Sequence, residues 1–586
     1  MSEAVPPAAA AAVRAPAPSV AVVAREAPHD VPWLAWSIVA LALLASITSL
    51  RNGFAYDDRW ILVENKRIHS LVEAWRFFGE TYWPNVRGAA LYRPLTLLVY
   101  ATQWVVGHGS PLIYHAVSIV LYAAVSVLVL LLALEMLPRR AAWGAAALFA
   151  VHPVHVEAVG NVVGQAELWT SLIVLGAVIV YLRGRRDGVP LNRESAFVIV
   201  GLYFVGMMVK ENAIILPALL MAAEGLVVRD NAPWRERADR LFTVLVWMGL
   251  FAAMFLAVRV SLLGAFGGDT PHPSIAALDM VGRTKVMIGL APEFARLFLW
   301  PANLYADYSP QAVHIHDTWH IEHLPGLLLI GCVAILFFVA HQRARVAAFG
   351  LWWVTLGMAP VANILIATGI LIAERTFLLP SVGVVISVAT LVPWVEAQRF
   401  WHRRVARLAL TAGFALLLTL GFSRSAERQY TWKDSETVFV TLLREAPLNF
   451  KAHYAQGGQL FDEKRPLEAE REWRMALALN PSYDGVWVDL AHKYREAHVC
   501  PAAIPAYKVA LGHDPDIPLA SVGLVACYLE LAQWRNARAA ARTGIASGYY
   551  RKAFQFMIDR ADSALAASDS LDATNKWKGG ARTKKR

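Results

Sequence analysis

Apolar stretches, several of about the twenty residues a helix needs to cross a bilayer, recur along the first 423 residues of the chain. The first runs from Val31 to Leu50. Others cover about 111–137, 141–151, 167–182, 195–210, 212–228, 241–262, 323–340, 346–362, 374–394 and 405–422. The 586 residues are 57 % hydrophobic and only 17 % charged, which excludes an ordinary soluble protein. The formal charge of +10 does not describe a nucleic-acid surface, because the basic residues fall in short clusters between apolar runs. Arg139-Arg140, Arg183-Gly-Arg-Arg186, Arg235 to Arg240, His341-Gln-Arg-Ala-Arg345 and Arg403-Arg404 orient those turns toward the cytoplasm. The fold class expected is all-α: a polytopic bundle of about eleven spans, followed by a soluble helical solenoid. An odd number of spans puts the N-terminus in the cytoplasm and the C-terminal part outside. Short loops and Ala/Arg-rich usage point to a bacterial inner membrane, with the C-terminal domain periplasmic.

Residues 1–30, rich in Ala, Pro and Val, read as a disordered cytoplasmic tail. They are not a cleavable signal peptide, since the apolar run that follows starts late and is long. The membrane domain covers 31–423 and carries two long outer loops, 51–110 and 264–322. An amphipathic helix is expected on the membrane surface around Leu71 to Phe78, and a second interfacial piece near Met287 to Trp300. Residues 424–575 show a repeat. Gly457, Ala469, Trp473, Ala476 and Pro481 stand 34 residues before Ala491, Ala503, Tyr507, Ala510 and Pro515. That period with small–large alternation is the pattern of tetratricopeptide repeats, and a weaker third copy places Tyr528 and Ala537 in the frame of Tyr494 and Ala503. Residues 576–586 form a basic, disordered tail. Cys332, Cys500 and Cys527 offer no metal spacing and no disulfide framework; Cys500 and Cys527 could meet in space, but a pair of unlinked thiols is the expectation.

The ionisable residues that interrupt the apolar pattern all fall on the outer side under this topology. They include Asp57, Asp58, Arg93, His115, His152, His155, Glu157, Glu167, Lys210, Glu211, Arg259, Asp307, Glu374 and Arg375. Such groups near a bilayer are costly unless they line a wet cavity. Asp57 and Asp58 stand out because neighbouring carboxylates raise each other's pKa, which suits one of them to accept a proton; alternatively they are the first solvated residues after a span. His152, His155 and Glu157 could reach one metal ion, but a fourth ligand is lacking and Pro153 interrupts the helix, so hydrogen bonding is the expected role and no metal site is assigned. Lys210-Glu211 suits either a phosphate or an internal ion pair. Arg375 suits a bidentate grip on phosphate or a pairing with Glu374.

Asp57-Asp58 after the first span, Tyr92-Arg93-Pro94-Leu95, Tyr114-His115, His152-Pro153 with Glu157-Ala158-Val159, Lys210-Glu211, and Glu374-Arg375 with Leu379-Pro380-Ser381 occur in this order. Together with the C-terminal repeats they resemble the transmembrane and tetratricopeptide-repeat O-mannosyltransferases, a branch of the GT-C glycosyltransferases, from about residue 32 onward. The resemblance implies a GT-C-like membrane domain using a polyprenyl-phosphate sugar on the outer side, with Asp57 as catalytic base and Asp58 beside it. Arg93, His152, His155, Glu157, Lys210, Glu211, Glu374 and Arg375 are then candidates for holding the donor phosphate or substrate. Two departures bear on the sugar and acceptor. Gly164-Gln-Ala-Glu167 stands where the family has Gly-Arg-Ala-Asp, and the repeat array is short.

The reaction needs little else. A lipid phosphate leaves as a stable anion, so a base for the acceptor hydroxyl and cations near the leaving group meet the minimum, without the second carboxyl that glycoside hydrolysis demands. No cofactor is expected beyond the lipid-phosphate sugar itself. The acceptor is protein Ser/Thr or a glycan, with a protein partner held on the repeats and no nucleic acid. Two other readings stand beside this one: a non-catalytic membrane anchor for the repeat scaffold, and a transporter using the acids as an ion path.

Overall fold

The computed structural model describes residues 31–83, 91–264, 272–309, 315–481, 483–546 and 550–583. The expected N-terminal tail and the last three residues of the basic tail lie outside them. Among the described residues there is no strand.

The membrane part contains α1 (Val31–Ser46), α2 (Pro94–Gly107), α3 (Pro111–Leu134), α4 (Arg139–Ala150), α5 (Val156–Gly160), α6 (Gln165–Gly184), α7 (Arg193–Val209) and α8 (Leu216–Leu226). It continues through α9 (Trp234–Leu263), the single turn α10 (Pro273–Ala276), α11 (Met280–Leu299), α12 (Leu324–Arg343), α13 (Arg345–Met358), α14 (Leu378–Ala389), α15 (Leu391–Glu396) and α16 (Arg404–Gln429). Helix starts follow from local sequence. Proline occupies the first turn of α2, α3, α8 and α12, where its missing N–H costs nothing. Asn192 and Asp279 cap α7 and α11 by accepting the N–H of Ser195 (2.8 Å) and Gly282 (2.7 Å).

Among the described residues, seven helical segments are long and apolar enough to cross a membrane: Val31–Arg51, Pro111–Leu134, Val162–Gly184, Trp234–Leu263, Ile321–Arg343, Glu374–Glu396 and Arg404–Trp432. The chain is a multi-pass membrane protein. The sequence suggested about eleven spans; the other four exist as α4, α7, α8 and α13, of 12, 17, 11 and 14 residues. At 1.5 Å per residue these reach only about 16–26 Å, short of a hydrocarbon core of about 30 Å. Chemistry stops two of them: α4 runs into Pro153, and α7 ends at the charged pair Lys210-Glu211. Their apolar faces pack into the largest core together with α3 and α6. Apolar side chains on α12 and α16, such as Leu328, Ile335, Leu408 and Leu416, stay exposed and face lipid in a bilayer.

Helix ends sort into two levels. At one, the basic turns meet acids: Arg183 and Arg186 bind Glu135 (2.9 and 2.8 Å), Arg140 binds Glu396 (3.2 Å), and buried Arg185 binds Glu224 and Asp230 (2.7 and 2.8 Å). At the other lie the loop after α1, the segment around α11 and the start of the C-terminal helices. The surface helix expected at Leu71 to Phe78 is a 3-10 turn, Ala74–Gly79, with Phe77 buried and Trp75 exposed. The interfacial piece near Met287 is α11, which is not one of the seven membrane-length segments.

The α16 helix passes straight through residue 424 before α17 (Ser435–Glu445) begins the C-terminal part. Three helix hairpins follow: α18 (Phe450–Asp462) with α19 (Pro466–Leu479), α20 (Asp484–Glu496) with α21 (Cys500–His513), and α22 (Pro518–Glu530) with α23 (Trp534–Ala546). Leading helices start at 450, 484 and 518 and trailing helices at 466, 500 and 534, each a step of 34 residues. Gly457 makes the first hairpin close: a Cβ there would lie 2.4 Å from the Trp473 ring, so only glycine lets α18 sit on α19. The last helix, α24 (Arg551–Thr583), packs on α23 and carries the start of the basic tail.

The cysteines correct one expectation. Cys500 and Cys527 form a disulfide with Cα atoms 5.2 Å apart. Helices α21 and α22 bring side chains 27 residues apart onto facing sides of adjacent hairpins, a proximity that spacing alone does not reveal. Cys332 is free and exposed.

Candidate active site

The segment that leaves the first span is fastened to the C-terminal part. Asn52 Nδ2 donates to Gln429 O (3.0 Å), Gly53 N–H to Lys433 O (2.7 Å) and Tyr56 N–H to Ser435 Oγ (3.0 Å). Tyr56 is left-handed, with φ 54°, a conformation that costs a non-glycine residue about 1–3 kcal/mol. It is held there by Ser435 and by its ring packing on Phe439 and Trp432 (centroids 5.5 and 6.5 Å). Beyond this kink Asp57 and Asp58 diverge.

Asp58 turns inward. It is fully buried, and its carboxylate accepts the N–H groups of Ala55 (3.1 Å), Val162 (3.2 Å) and Val163 (2.8 Å). Burial pushes its pKa up to about 7 against the pull of these donors, and Asp57 adds to the rise. It ties the loop to the start of the third membrane segment and does not line the cavity. Asp57 turns outward into a cavity of about 590 Å³, within the size range of small-molecule sites. Burial raises its pKa, Arg375 and Lys451 draw it down, and Asp307 raises it again.

Cations reach the same cavity from several elements. Arg375 Nη2 lies 3.8 Å from Asp57 Oδ2, while another arm of the guanidinium and the Arg375 N–H (2.8 Å) hold Glu157 of α5. Arg93, at the start of α2, makes a bidentate pair with Glu211 (3.0 and 2.5 Å). Lys210 pairs with Glu167 of α6. Burial lowers the pKa of Lys210, opposed by Glu167; for Glu211, Arg93 outweighs burial and holds the carboxyl well below its ordinary range. Arg259 of α9 lines the cavity as well. Much of the rest of the lining is apolar, from Ile214, Phe255, Phe294, Met358, Leu365 and Ile370.

Sequence reasoning missed Lys451 altogether. It comes from α18, the first helix of the repeats, and its Nζ lies 2.5 Å from Asp307 Oδ1, with Asn449 Nδ2 2.9 Å from Asp307 Oδ2. The pair sharpens both charges: burial pulls the Lys451 pKa down, but Asp307 with the nearby Tyr56 and Tyr483 raises it on balance, and Lys451 helps to hold that of Asp307 below its ordinary value. Asp307 was visible as an outer acid; its partner carried no local signal.

Three candidates do other work. His152 Nε2 meets Phe298 O (3.0 Å), and His155 Nε2 meets Ser381 Oγ (2.8 Å) while its Nδ1 lies near Phe149 O (3.0 Å) and Tyr122 Oη (3.1 Å). Burial lowers both pKa values, that of His152 to about 4. These neutral rings brace the elbow between α4 and α5, and with Glu157 turned to Arg375 the three residues do not converge on an ion. Glu374 faces away from its neighbour Arg375, accepting Tyr305 N–H (2.6 Å) and Tyr308 O–H (3.0 Å) near Arg428 (3.8 Å). Gln165 is buried in a reciprocal amide pair with Gln103 (2.9 and 3.0 Å) and bonds Tyr114 O (2.8 Å), so a cation at this position would point away from the cavity.

No family model matches the chain. Over 508 residues it is 24 % identical to the protein O-mannosyl-transferase TMTC3 of Mus musculus, covering 82 % of this chain and 55 % of that protein. It is 28 % identical over 498 residues to protein O-mannosyl-transferase TMTC4 of Homo sapiens, covering 75 % and 65 %. The chain is similar to the protein O-mannosyl-transferases. A third such relative, F38B6.6 of Caenorhabditis elegans, is 25 % identical over 456 residues, covering 76 % and 63 %. The chain thus spans between about half and two thirds of these relatives' lengths. A solved structure of the Archaeoglobus fulgidus oligosaccharyltransferase aligns with 80 % of the chain and 57 % of its own at 14 % identity, with a TM-score of 0.30, which is too low to argue from.

Proposed function

We propose that the protein is an inverting membrane glycosyltransferase that moves a sugar, mannose by analogy with its relatives' names, from a polyprenyl-phosphate donor to an outward-facing hydroxyl of protein Ser or Thr. The observation that carries this reading is a carboxylate, Asp57, in a cavity lined both by the cations Arg375, Arg93, Lys210 and Lys451 and by apolar side chains such as Phe255, Phe294 and Leu365. A donor with a phosphate and a prenyl tail calls for both kinds of lining. The acceptor hydroxyl gives its proton to Asp57 as its oxygen bonds the anomeric carbon. The carbon–oxygen bond to phosphate breaks on the opposite face, and the lipid phosphate leaves with the electron pair, its charge met by the neighbouring cations. Attack opposite the leaving group inverts the anomeric centre. Arg375, shared between Asp57 and Glu157, links base and leaving-group side. The repeats offer a surface for the acceptor or a partner protein.

The test is transfer from a polyprenyl-phosphate mannose to a Ser/Thr-rich peptide by the purified protein in proteoliposomes. Asp57→Asn is expected to slow transfer by about 10²–10⁴-fold while the donor still binds, and the product's anomeric configuration is expected to be opposite to the donor's. Undiminished transfer by the variant overturns the assignment of the base. No transfer by the intact protein with any polyprenyl-phosphate sugar overturns the reaction and leaves a membrane-anchored repeat scaffold.

A further inference from the structure

The connection between the cavity and α12 has an unusual composition. Four of the chain's 17 histidines lie within residues 314–323. Two of them, His316 and His320, converge with Glu322: one donor atom from each lies within 4.8 Å of the others. His316 Nε2 is 2.8 Å from Glu322 Oε2, and His320 Nδ1 is 3.9 Å from Glu322 Oε1. The two imidazoles stack with centroids 4.4 Å apart, 16° from parallel. Around a tetrahedral ion bonded at about 2.0–2.2 Å, donor atoms stand about 3.3 Å apart. The observed separations bracket that value, and these partly exposed side chains can rotate the remaining fraction of an ångström.

Two imidazoles and a carboxylate suit zinc and its first-row neighbours, whereas calcium and magnesium take oxygen donors. The backbone holds the geometry: His320 N–H donates to His323 Nδ1 (3.1 Å), closing the turn Ile321–His323 that starts α12. A metal on His320 Nδ1 displaces only a long contact from Glu322 N–H (3.4 Å). We infer that His316, His320 and Glu322 form a binding site for a divalent transition ion of the zinc class, with a fourth position open to water. The site is separate from the Asp57 cavity and does not depend on the transferase reading.

Full-length protein without a polyhistidine tag, in detergent, is titrated with Co²⁺ as a spectroscopic probe and then with Zn²⁺ in competition. One equivalent is expected to give visible absorption that Zn²⁺ abolishes. His316→Ala/His320→Ala is expected to lose the absorption. Glu322→Gln should weaken binding by more than the roughly 10–100-fold that loss of an outer supporting contact costs. His498→Ala, an exposed histidine of the repeats, should leave binding unchanged. Unaltered stoichiometry and affinity in the double variant, or no absorption from the intact protein, overturns the proposal. Should the double variant not fold, Glu322→Gln alone decides, its affinity either falling as stated or refuting the site by staying the same.

Discussion

Adjacent acids with opposite tasks give the sharpest test. Asp58 satisfies three buried N–H groups, whereas Asp57 faces the cavity and makes only a 3.8 Å contact with Arg375. An asparagine at 58 keeps one acceptor oxygen and turns an NH₂ toward the remaining donors. Each buried N–H left unsatisfied costs about 1–3 kcal/mol, so Asp58→Asn should destabilise by about 1–6 kcal/mol, counting one or two such losses. At 57 the same change leaves Arg375 its Glu157 partner and should alter stability by less than about 1 kcal/mol. Transfer should behave in the opposite sense, with Asp57→Asn folded and inactive. Thermal unfolding in detergent, followed by tryptophan fluorescence, reads the first quantity, and peptide transfer reads the second. A pH series adds a signature. The Asp58 pKa is raised from 3.8 to about 7 in the folded protein, so the native state binds its proton more tightly than the unfolded chain. That stabilisation is present in acid and is lost as pH rises across that window; Asp58→Asn should remove this part of the slope. Equal destabilisation by both variants, or an active Asp57→Asn protein, would refute the division of labour.

Other expectations follow from the same contacts. Because burial raises the pKa of Asp57, the acid limb of kcat/KM against pH should lie above 3.8, activity rising as the carboxyl ionises. Lys451→Met should move that limb to higher pH and Asp307→Asn to lower pH, since the lysine lowers and the aspartate raises the Asp57 value. Arg375→Met should cost about 3–5 kcal/mol by stranding the buried Glu157; adding Glu157→Leu should restore the melting temperature but not transfer. Reducing the Cys500–Cys527 bond, which closes a 27-residue separation, should cost the repeats about 3 kcal/mol, measured as a reductant-dependent melting shift that Cys500→Ser/Cys527→Ser abolishes.

The helical order, the charged turns and the 34-residue step were legible because each is a local pattern: apolar run length, clustered arginines, and small residues opposite Trp473 and Tyr507. The cavity was only half legible. Asp57 and Arg375 were readable as residue types that are expensive near lipid, but their neighbours in sequence, Asp58 and Glu374, carried the same signal and turn inward to brace backbone and tyrosines. One residue of chain reverses a side chain's direction, and composition does not record direction. His152 and His155 misled for a related reason. Burial among carbonyls and a hydroxyl makes them neutral braces, while their spacing looked like a ligand pair. Lys451 was invisible, since its partner Asp307 lies 144 residues away on a different part of the chain. The number of spans was not legible from run length alone, because a run of apolar residues in α8 or α13 signals burial without stating whether lipid or protein does the burying.

The origin of Lys451 has an architectural consequence. A truncation that stops after α16 does not merely shed an appendage: it removes Lys451 from the cavity lining, and with it Ser435, which props the kinked Tyr56 beside Asp57. The loop bearing Asp57 is thus anchored at and beyond the end of α16, at Gln429, Lys433 and Ser435, and losing those anchors unfastens it.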